Sequence, residues 1–455
     1  MFKRKVYDKL LEWKKENGRC AVLLQGPRFV GKRTIAEEFA QDNYDSYIKV
    51  DFSNITNELL DVFDDLSYED IFFLRLQSVT SIDLYERRSL IIFENVQYFP
   101  KARQAIKHLV ADGRYDYIET GCFVNIRKNV KDILIPSEEI HIDVYPLDYE
   151  EFCWACGINY DVLELSYNYD RSLGEYINKK LLRDFRIYMA VGGMPQAVEA
   201  YVSKKSLNQI DEIKRDILQT YRDEFNRLDP SDRMTMIFDS IPKQLMRQNK
   251  RFSLSKVVGR SPTKKDLRLL HELIDSRTVL VSHNVNENSF GFNLVSSFNG
   301  YKLYLADIGL LITMIKNDDG LSMGNIYNLI LEKRYLKSDL SFLYENMMAQ
   351  IIKSDDRKLF YYRWYKKGKN HPCEVNFLIT CFNKLVVIDV RSTNKSNHVS
   401  INEFSKRFSK KISRMILFSQ SEVAFDGKLE MKPMYLALMF LNKLYNSCEN
   451  FHKEP

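Results

Sequence analysis

The stretch AVLLQGPRFVGKRTIAEEFAQDN, residues 21–43, restricts the fold more than any other part of the chain. Its apolar run AVLLQ reads as a short buried strand, glycines 26 and 31 bound a loop, and Ile35 and Phe39 share one face of a following helix. Strand, glycine loop and helix in direct succession gather backbone N–H groups and the positive end of a helix around one point, which is a cradle for phosphate. The candidate binding residues are Gly26, Pro27, Arg28, Val30, Gly31, Lys32, Arg33 and Thr34, with the Lys32 ammonium directed at the outer phosphates. A hydroxyl is expected straight after the lysine, and Arg33 stands there instead.

The neighbouring pattern alternates. A helix over 3–16 precedes the loop, and SYIKVDF (46–52), SLIIFENVQ (89–97), YDYIETGC (115–122) and EEIHIDVYP (138–146) read as further strands, separated by helical runs such as ARQAIKHLVADG. This alternation implies an α/β fold with a parallel sheet covered on both faces. The third strand ends in Glu94-Asn95, where phosphoryl chemistry wants carboxylates for a magnesium shell and an attacking water. Thr120 closes the fourth strand, placed to sense a terminal phosphate.

GPRFVGK, LIIFENVQYFPKARQAIKHL, GRYDYIETG, ILIPSEE, VYPLDYEEF and YMAVGGMPQAV resemble the prokaryotic AAA-type ATPases that carry a C-terminal domain of unknown function, number 4143, along nearly the whole chain. The resemblance implies a P-loop AAA-like sheet that takes ATP, then a helical and winged-helix region, then a restriction-endonuclease-like α+β domain. In that family the loop lysine is followed by Ser or Thr and the strand ends in Asp-Glu, where this sequence has Arg33, Glu94 and Asn95. Arg33 offers only donors and a fixed positive charge, so Mg²⁺ binding is weakened. Thr34 points about 100° away on the helix and is no substitute. Asn95 can orient a water but cannot accept its proton. Lys32, the loop amides and the helix N-terminus remain, and Arg33 can itself partner a phosphate oxygen, so binding and hydrolysis come apart.

Farther along, FSLSKVVG and KKDLRLLHELIDS, joined by RSPT, read as a helix-turn-helix, with TVLVSHNV and FGFNLV as its wing. Lys264, Lys265 and Arg268 lie on the first turns of its second helix, where nucleic-acid phosphates would be met; a solvated face explains them equally well. In EVNFLITCFNKLVVIDVRS two apolar runs flank Asn383-Lys384 as an antiparallel hairpin, with Asn376, Asp389 and Arg391 on one face. The resemblance places a degenerate nuclease set on Glu345, Asn376, Asp389 and Arg391; with Asn for Asp and Arg for Lys, a satisfied polar cluster is the favoured reading. The expected domains are 1–205 (AAA-like), 206–300 (helical lid and winged helix), 301–430 (nuclease-like) and 431–455 (a C-terminal tail), of which the polar end SCENFHKEP (447–455) is expected to fray.

Composition narrows the rest. The 455 residues are 45% hydrophobic and 28% charged, the balance of a globular chain of several domains, and +6 permits an acidic partner without demanding one. No apolar run reaches the roughly 18 residues of a membrane span, so a cytoplasmic location is expected. Seven scattered cysteines, among them the lone CxxC of Cys153 and Cys156, read as free buried thiols, with no metal site. Arg87, Arg88, Arg103, Arg114 and Arg127 are all arginine-finger candidates, and none is marked by its surroundings. The expected function is ATP binding with weak or absent hydrolysis, coupled to a winged helix and an inactive nuclease-like module. The alternatives are a scaffold for DNA or an unknown protein partner that no longer uses nucleotide, and a nuclease gated by nucleotide.

Overall fold

The computed structural model describes residues 2–63, 68–125, 127–247, 249–290, 294–318, 327, 330–331, 340–365, 372–392 and 399–453. The chain divides into two compact units, Met1–Tyr145 with His271–Thr278, and Pro146–Leu270 with Val279–Pro455. Among the described residues no helix is long and apolar enough to cross a membrane.

The first unit runs α1 (Lys5–Lys14), β1 (Ala21–Gln25), α2 (Lys32–Asn43), β2 (Ser46–Asp51), α3 (Asn57–Asp61), α4 (Glu69–Thr80), β3 (Ser89–Glu94), α5 (Pro100–Asp112), β4 (Asp116–Gly121), α6 (Arg127–Val130) and β5 (Glu139–Asp143). All five expected strands form, parallel, in the order β2-β3-β4-β1-β5. Strands β1, β3 and β4 are buried along their whole length, as strands covered on both faces must be. Helix α5 starts on Pro100 and stops at Gly113 in the left-handed region, the usual chemistry of helix ends. Phe52, Phe63, Phe93 and Phe99 interlock at centroid distances of 5.3–5.8 Å and fill the core on one side of the sheet.

Charge is buried in this unit too. Arg103 on α5 grips Glu139 on β5 through two bonds of 2.7 and 2.8 Å, and His141 donates to the same carboxylate at 2.5 Å. Burial opposes ionisation of Glu139, but these bonds pull its carboxyl down to about 2. Glu119 on β4 has no such support. It is fully buried, and desolvation together with the negative charge of Glu139 pushes it well above the usual carboxylate range, so it keeps its proton.

The second unit contains α7 (Tyr149–Cys156), α8 (Asp161–Tyr169), α9 (Glu175–Val191), α10 (Pro195–Val202), α11 (Leu207–Leu228), α12 (Arg233–Asp239), α13 (Ile241–Leu245), α14 (Leu254–Val258) and the start of α15 (Lys264–Asp275). After β6 (Val279–Val285), β7 (Ser296–Leu305) and α16 (Ile308–Asp318) come α17 (Ser341–Lys353), β8 (Leu359–Tyr365), β9 (Pro372–Val375), β10 (Phe377–Cys381) and β11 (Lys384–Val390). It ends with α18 (Val399–Phe408), β12 (Ile412–Ser419), β13 (Ala424–Asp426), β14 (Leu429–Pro433) and α19 (Ala437–Lys453). Two sheets result, β7-β6-β8-β9 and β10-β11-β12-β14-β13. The GG of YMAVGGMPQAV has a packing cause: a Cβ on Gly192 (φ 85°) would stand 2.4 Å from Asp307 Oδ1, and the Gly193 N–H donates to Asp307 at 2.6 Å.

Three sequence expectations change here. Strand β6 is not half of a two-stranded wing: it pairs antiparallel with β7 and parallel with β8, as an inner strand. Residues 291–293, half of FGFNLV, expected as the second wing strand, lie outside the described residues. Cys381 and Cys448 are joined in a disulfide because β10 and α19 bring their Cα atoms to 5.9 Å, while Cys20, Cys122, Cys153, Cys156 and Cys373 are free, as expected. The stretch SCENFHKEP (447–455), expected to fray, continues α19 as far as Lys453. The hairpin does form: Phe377 opposes Ile388, and Phe382 and Asn383 take the two positive-φ positions (51° and 57°) of a tight two-residue turn.

Two measurements test this account. Because Glu119 is raised in the folded state above the ordinary value of about 4.3, its contribution is complete below that pH and is lost as pH rises through the folded pKa. Urea unfolding should therefore show Glu119→Gln gaining about 1 kcal/mol or more on the wild type between pH 5 and pH 9, and a pH-independent difference contradicts it. Reduction by dithiothreitol, or Cys448→Ser, should cost about 4 kcal/mol for a loop of 67 residues, read as a lowered melting temperature.

Candidate phosphate-binding site

Three adjacent strands deliver the site. Leu24 of β1 lies in register with Thr120 of β4, and Thr120 with Glu94 of β3, so the glycine loop, the threonine and the glutamate leave neighbouring strand ends about 4.8 Å apart per strand. The loop turns on Gly26 (φ 156°), Phe29 (φ 67°) and Gly31 (φ 94°). A Cβ on Gly26 would stand 2.2 Å from the Val144 carbonyl oxygen, so only glycine lets β5 pass the loop. Phe29 is a bulky residue in the left-handed region, strain of the kind that collects at functional loops. The first helical bond of α2 runs from Ile35 N to Gly31 O at 3.0 Å, which leaves the first-turn amides directed out of the helix start.

Side chains brace this loop from several elements. The buried Arg4 guanidinium donates to Val30 O at 2.9 Å and Tyr145 O at 2.7 Å. Lys32 folds across the loop and donates to Gly26 O at 2.8 Å and Pro27 O at 2.6 Å, and Arg28 bonds the Tyr98 hydroxyl. None of Arg4, Tyr98 or Tyr145 was marked by the sequence, since each acts through contacts far away in the chain.

The carboxylates behind the loop are already compensated. Arg33 donates to Glu37 at 3.1 Å and its Nε stands 3.6 Å from Glu94 Oε1, while its side chain stays 55% exposed. Glu94 is 4% exposed, and its second oxygen has no hydrogen-bond partner among the described residues. Burial raises the Glu94 carboxyl, Arg33 draws it back and Asp51 pushes it up again. Asn95, left-handed at φ 59°, spends its amide on Asp51 Oδ1 at 2.9 Å, and its N–H donates to Thr120 Oγ1 at 3.3 Å. Burial opposes ionisation of Asp51 too, but bonds from Asn95 and Ser53 outweigh it and hold Asp51 low. Loop, lysine and helix start fit a phosphate group. The donor set does not fit a divalent cation, because a guanidinium stands where the ion would contact Glu94.

The other expected residues lie as follows. Arg87 pairs with Asp116, Arg88 with Asp45, Arg103 with Glu139 and Arg114 with Asp112 and Asp70; the side chain of Arg127 lies outside the described residues. In the second unit Asn376 accepts from Val390 N at 2.9 Å and Asp389 pairs with Arg391 at 2.9 Å. Glu345 is held instead by Lys302, Lys250 and Tyr304, and no direct bond to the other three nuclease-set residues is seen among the described ones. Lys264 and Arg268 are exposed on α15, and Lys265 lies 3.5 Å from Asp229. Asp266 and Thr263 cap that helix reciprocally, at 2.7 and 3.3 Å.

The glycine loop, parallel sheet and strand-end polar residues define a P-loop nucleotide-binding fold of the AAA type. Residues 18–153 match the family described as an AAA domain, and residues 182–320 match a domain of unknown function, DUF8612, rather than domain 4143. No curated protein matches the chain. Among solved structures, the Aeropyrum pernix ORC1 protein in complex with DNA aligns at 11% identity and TM-score 0.30, covering 70% of this chain and 93% of that one. A signal transduction ATPase with numerous domains from Pyrococcus horikoshii aligns at 11% identity and TM-score 0.28, covering 78% of this chain and 45% of that one. C. elegans PCH-2 aligns at 11% identity and TM-score 0.23, covering 37% and 48%. At these TM-scores none of the three bears on function.

The close approach at Gly26 yields a prediction. Gly26→Ala should destabilise the first unit by about 3 kcal/mol, read as a lower melting temperature, whereas the same change at Gly113, where a Cβ would meet nothing within 4 Å, should cost about 1 kcal/mol from its positive φ alone.

Proposed function

We propose that this chain is an ATP-binding AAA-type protein that hydrolyses its nucleotide slowly or not at all, and that holds it without needing Mg²⁺. The observation carrying this reading is Arg33, which follows the loop lysine and lies 3.6 Å from the buried Glu94. The triphosphate would be held by the loop amides, by Lys32 released from Gly26 O and Pro27 O, and by Arg33 turning outward from Glu94. Hydrolysis is hindered for a separate reason: Asn95 cannot take a proton from water, and its amide is engaged by Asp51. An added magnesium ion would bring charge neutralisation at the phosphates, and Arg33 already brings part of it.

A second role, contact with the nucleic-acid backbone, is favoured by one feature of the second unit. Besides Lys250, which is turned inward onto Glu345, residues 243–268 carry eight cations (Lys243, Arg247, Arg251, Lys256, Arg260, Lys264, Lys265, Arg268) and one acid, Asp266. Such a run matches a phosphate backbone by charge and carries no base specificity of its own. A nuclease-like module that does not cut, and a protein partner, are compatible with it.

The test is calorimetry with ATP, ADP and a non-hydrolysable analogue, in EDTA and in Mg²⁺. Wild-type affinity should change less than about threefold between the two, Lys32→Ala should lose at least about tenfold, and Arg33→Ser should become dependent on Mg²⁺. Turnover near about one per second would overturn the slow-hydrolysis reading, being in the range of working enzymes. Failure to bind any nucleotide would leave the scaffold reading in its place.

A further inference from the structure

The second unit buries a charge centre that nucleotide binding does not use. Lys302 of β7 is fully buried, and its ammonium donates to Glu345 Oε1 of α17 at 2.7 Å and to Glu374 of β9. It also lies 4.7 Å from the ring centroid of Tyr361. Lys250 donates to Glu345 Oε2 at 2.6 Å, and the Tyr304 hydroxyl donates to Oε1 at 2.6 Å. The negative charge of Glu345 reaches Asp389, which is paired with Arg391. Glu345, Glu374 and Asp389 thus face Lys250, Lys302 and Arg391, three charges of each sign.

The buried Glu345 and the partly exposed Glu374 converge from different elements, and the buried one needs a cation beside it, because an uncompensated buried charge is strongly destabilising. A divalent ion would sit about 2.1 Å (Mg²⁺) or about 2.4 Å (Ca²⁺) from the same oxygens. The Lys302 nitrogen already stands 2.7 Å from Glu345 Oε1, so ion and ammonium exclude one another on both space and charge. Ser282, opposite Lys302 in register across β6 and β7, is fully buried, and its hydroxyl has no hydrogen-bond partner among the described residues.

We propose that Lys302 is the resident cation of this centre, taking the position between Glu345 and Glu374 that a divalent ion would need, and that the centre excludes Mg²⁺ and Mn²⁺ for that reason. The pairing then acts as a fixed tie between β7, α17 and β9, and the unit does no metal-assisted phosphodiester chemistry.

Nucleotide-free protein tests this in two arms. In the first, the melting temperature of the wild type is followed in EDTA and in millimolar Mn²⁺. No Mn²⁺-dependent change that Glu374→Gln removes is expected, and a rise abolished by Glu374→Gln overturns the proposal. In the second, Lys302→Met, verified as folded by circular dichroism, should gain about one Mn²⁺ per chain by electron paramagnetic resonance and lose it again in Lys302→Met/Glu374→Gln. A folded Lys302→Met that gains no Mn²⁺ also overturns it. Should that variant fail to fold, the wild-type arm decides alone.

Discussion

The contact between Arg33 and Glu94 governs what the first unit can do. Glu94 ends a strand buried along its whole length, and a carboxylate there must either keep a proton or face a positive charge. An exchangeable ion would make the charge of the site depend on ion supply. A guanidinium on the same chain removes that dependence, because it never dissociates and stays ionised at any physiological pH. The anion-attracting parts of the site are built of main chain, Lys32 and a helix start, and the substitution leaves them untouched. Beside Glu94, at the same strand end, Asn95 carries an amide bonded to Asp51.

Much of the first unit was legible in the sequence because its signals are local. Each strand is a short apolar run next to a turn residue, and each helix start or stop is written in a few adjacent positions, as at Pro100 and Gly113. The glycine loop is likewise contiguous, from Gly26 to Thr34. What escaped the sequence depends on which distant segments become neighbours. Arg4 reaches Tyr145 across 141 residues, and Asn95 meets Asp51 across 44, pairings that no spacing rule announces.

The second unit shows the same limit more severely. The hairpin of β10 and β11 was readable from two apolar runs and a turn, but the partners of its polar face were not. Glu345 meets Lys302 and Lys250, at separations of 43 and 95 residues, rather than Asn376 or Arg391. The disulfide and the inner position of β6 belong to the same class of non-local facts. A cysteine count admits many pairings, and a strand of seven residues does not say how many neighbours it has.

Both units answer buried carboxylates with cations of the chain itself, yet the two contacts differ in a way that separates their roles. Arg33 is half exposed and stands 3.6 Å from Glu94, beyond hydrogen-bond distance, so moving it onto a phosphate breaks no hydrogen bond to Glu94, and the buried carboxyl, already raised by desolvation, then takes up a proton. Lys302 is fully buried, bonded to two carboxylates, and lies close to an aromatic ring. Withdrawing it would leave the buried Glu345 short of charge where water does not reach, and Glu374 without its partner. The first contact can therefore open for a ligand and close behind it, whereas the second can only hold. On the proposed reading, the movable cation belongs to a phosphate ligand of the first unit and the fixed one keeps the second unit's polar centre free of metal.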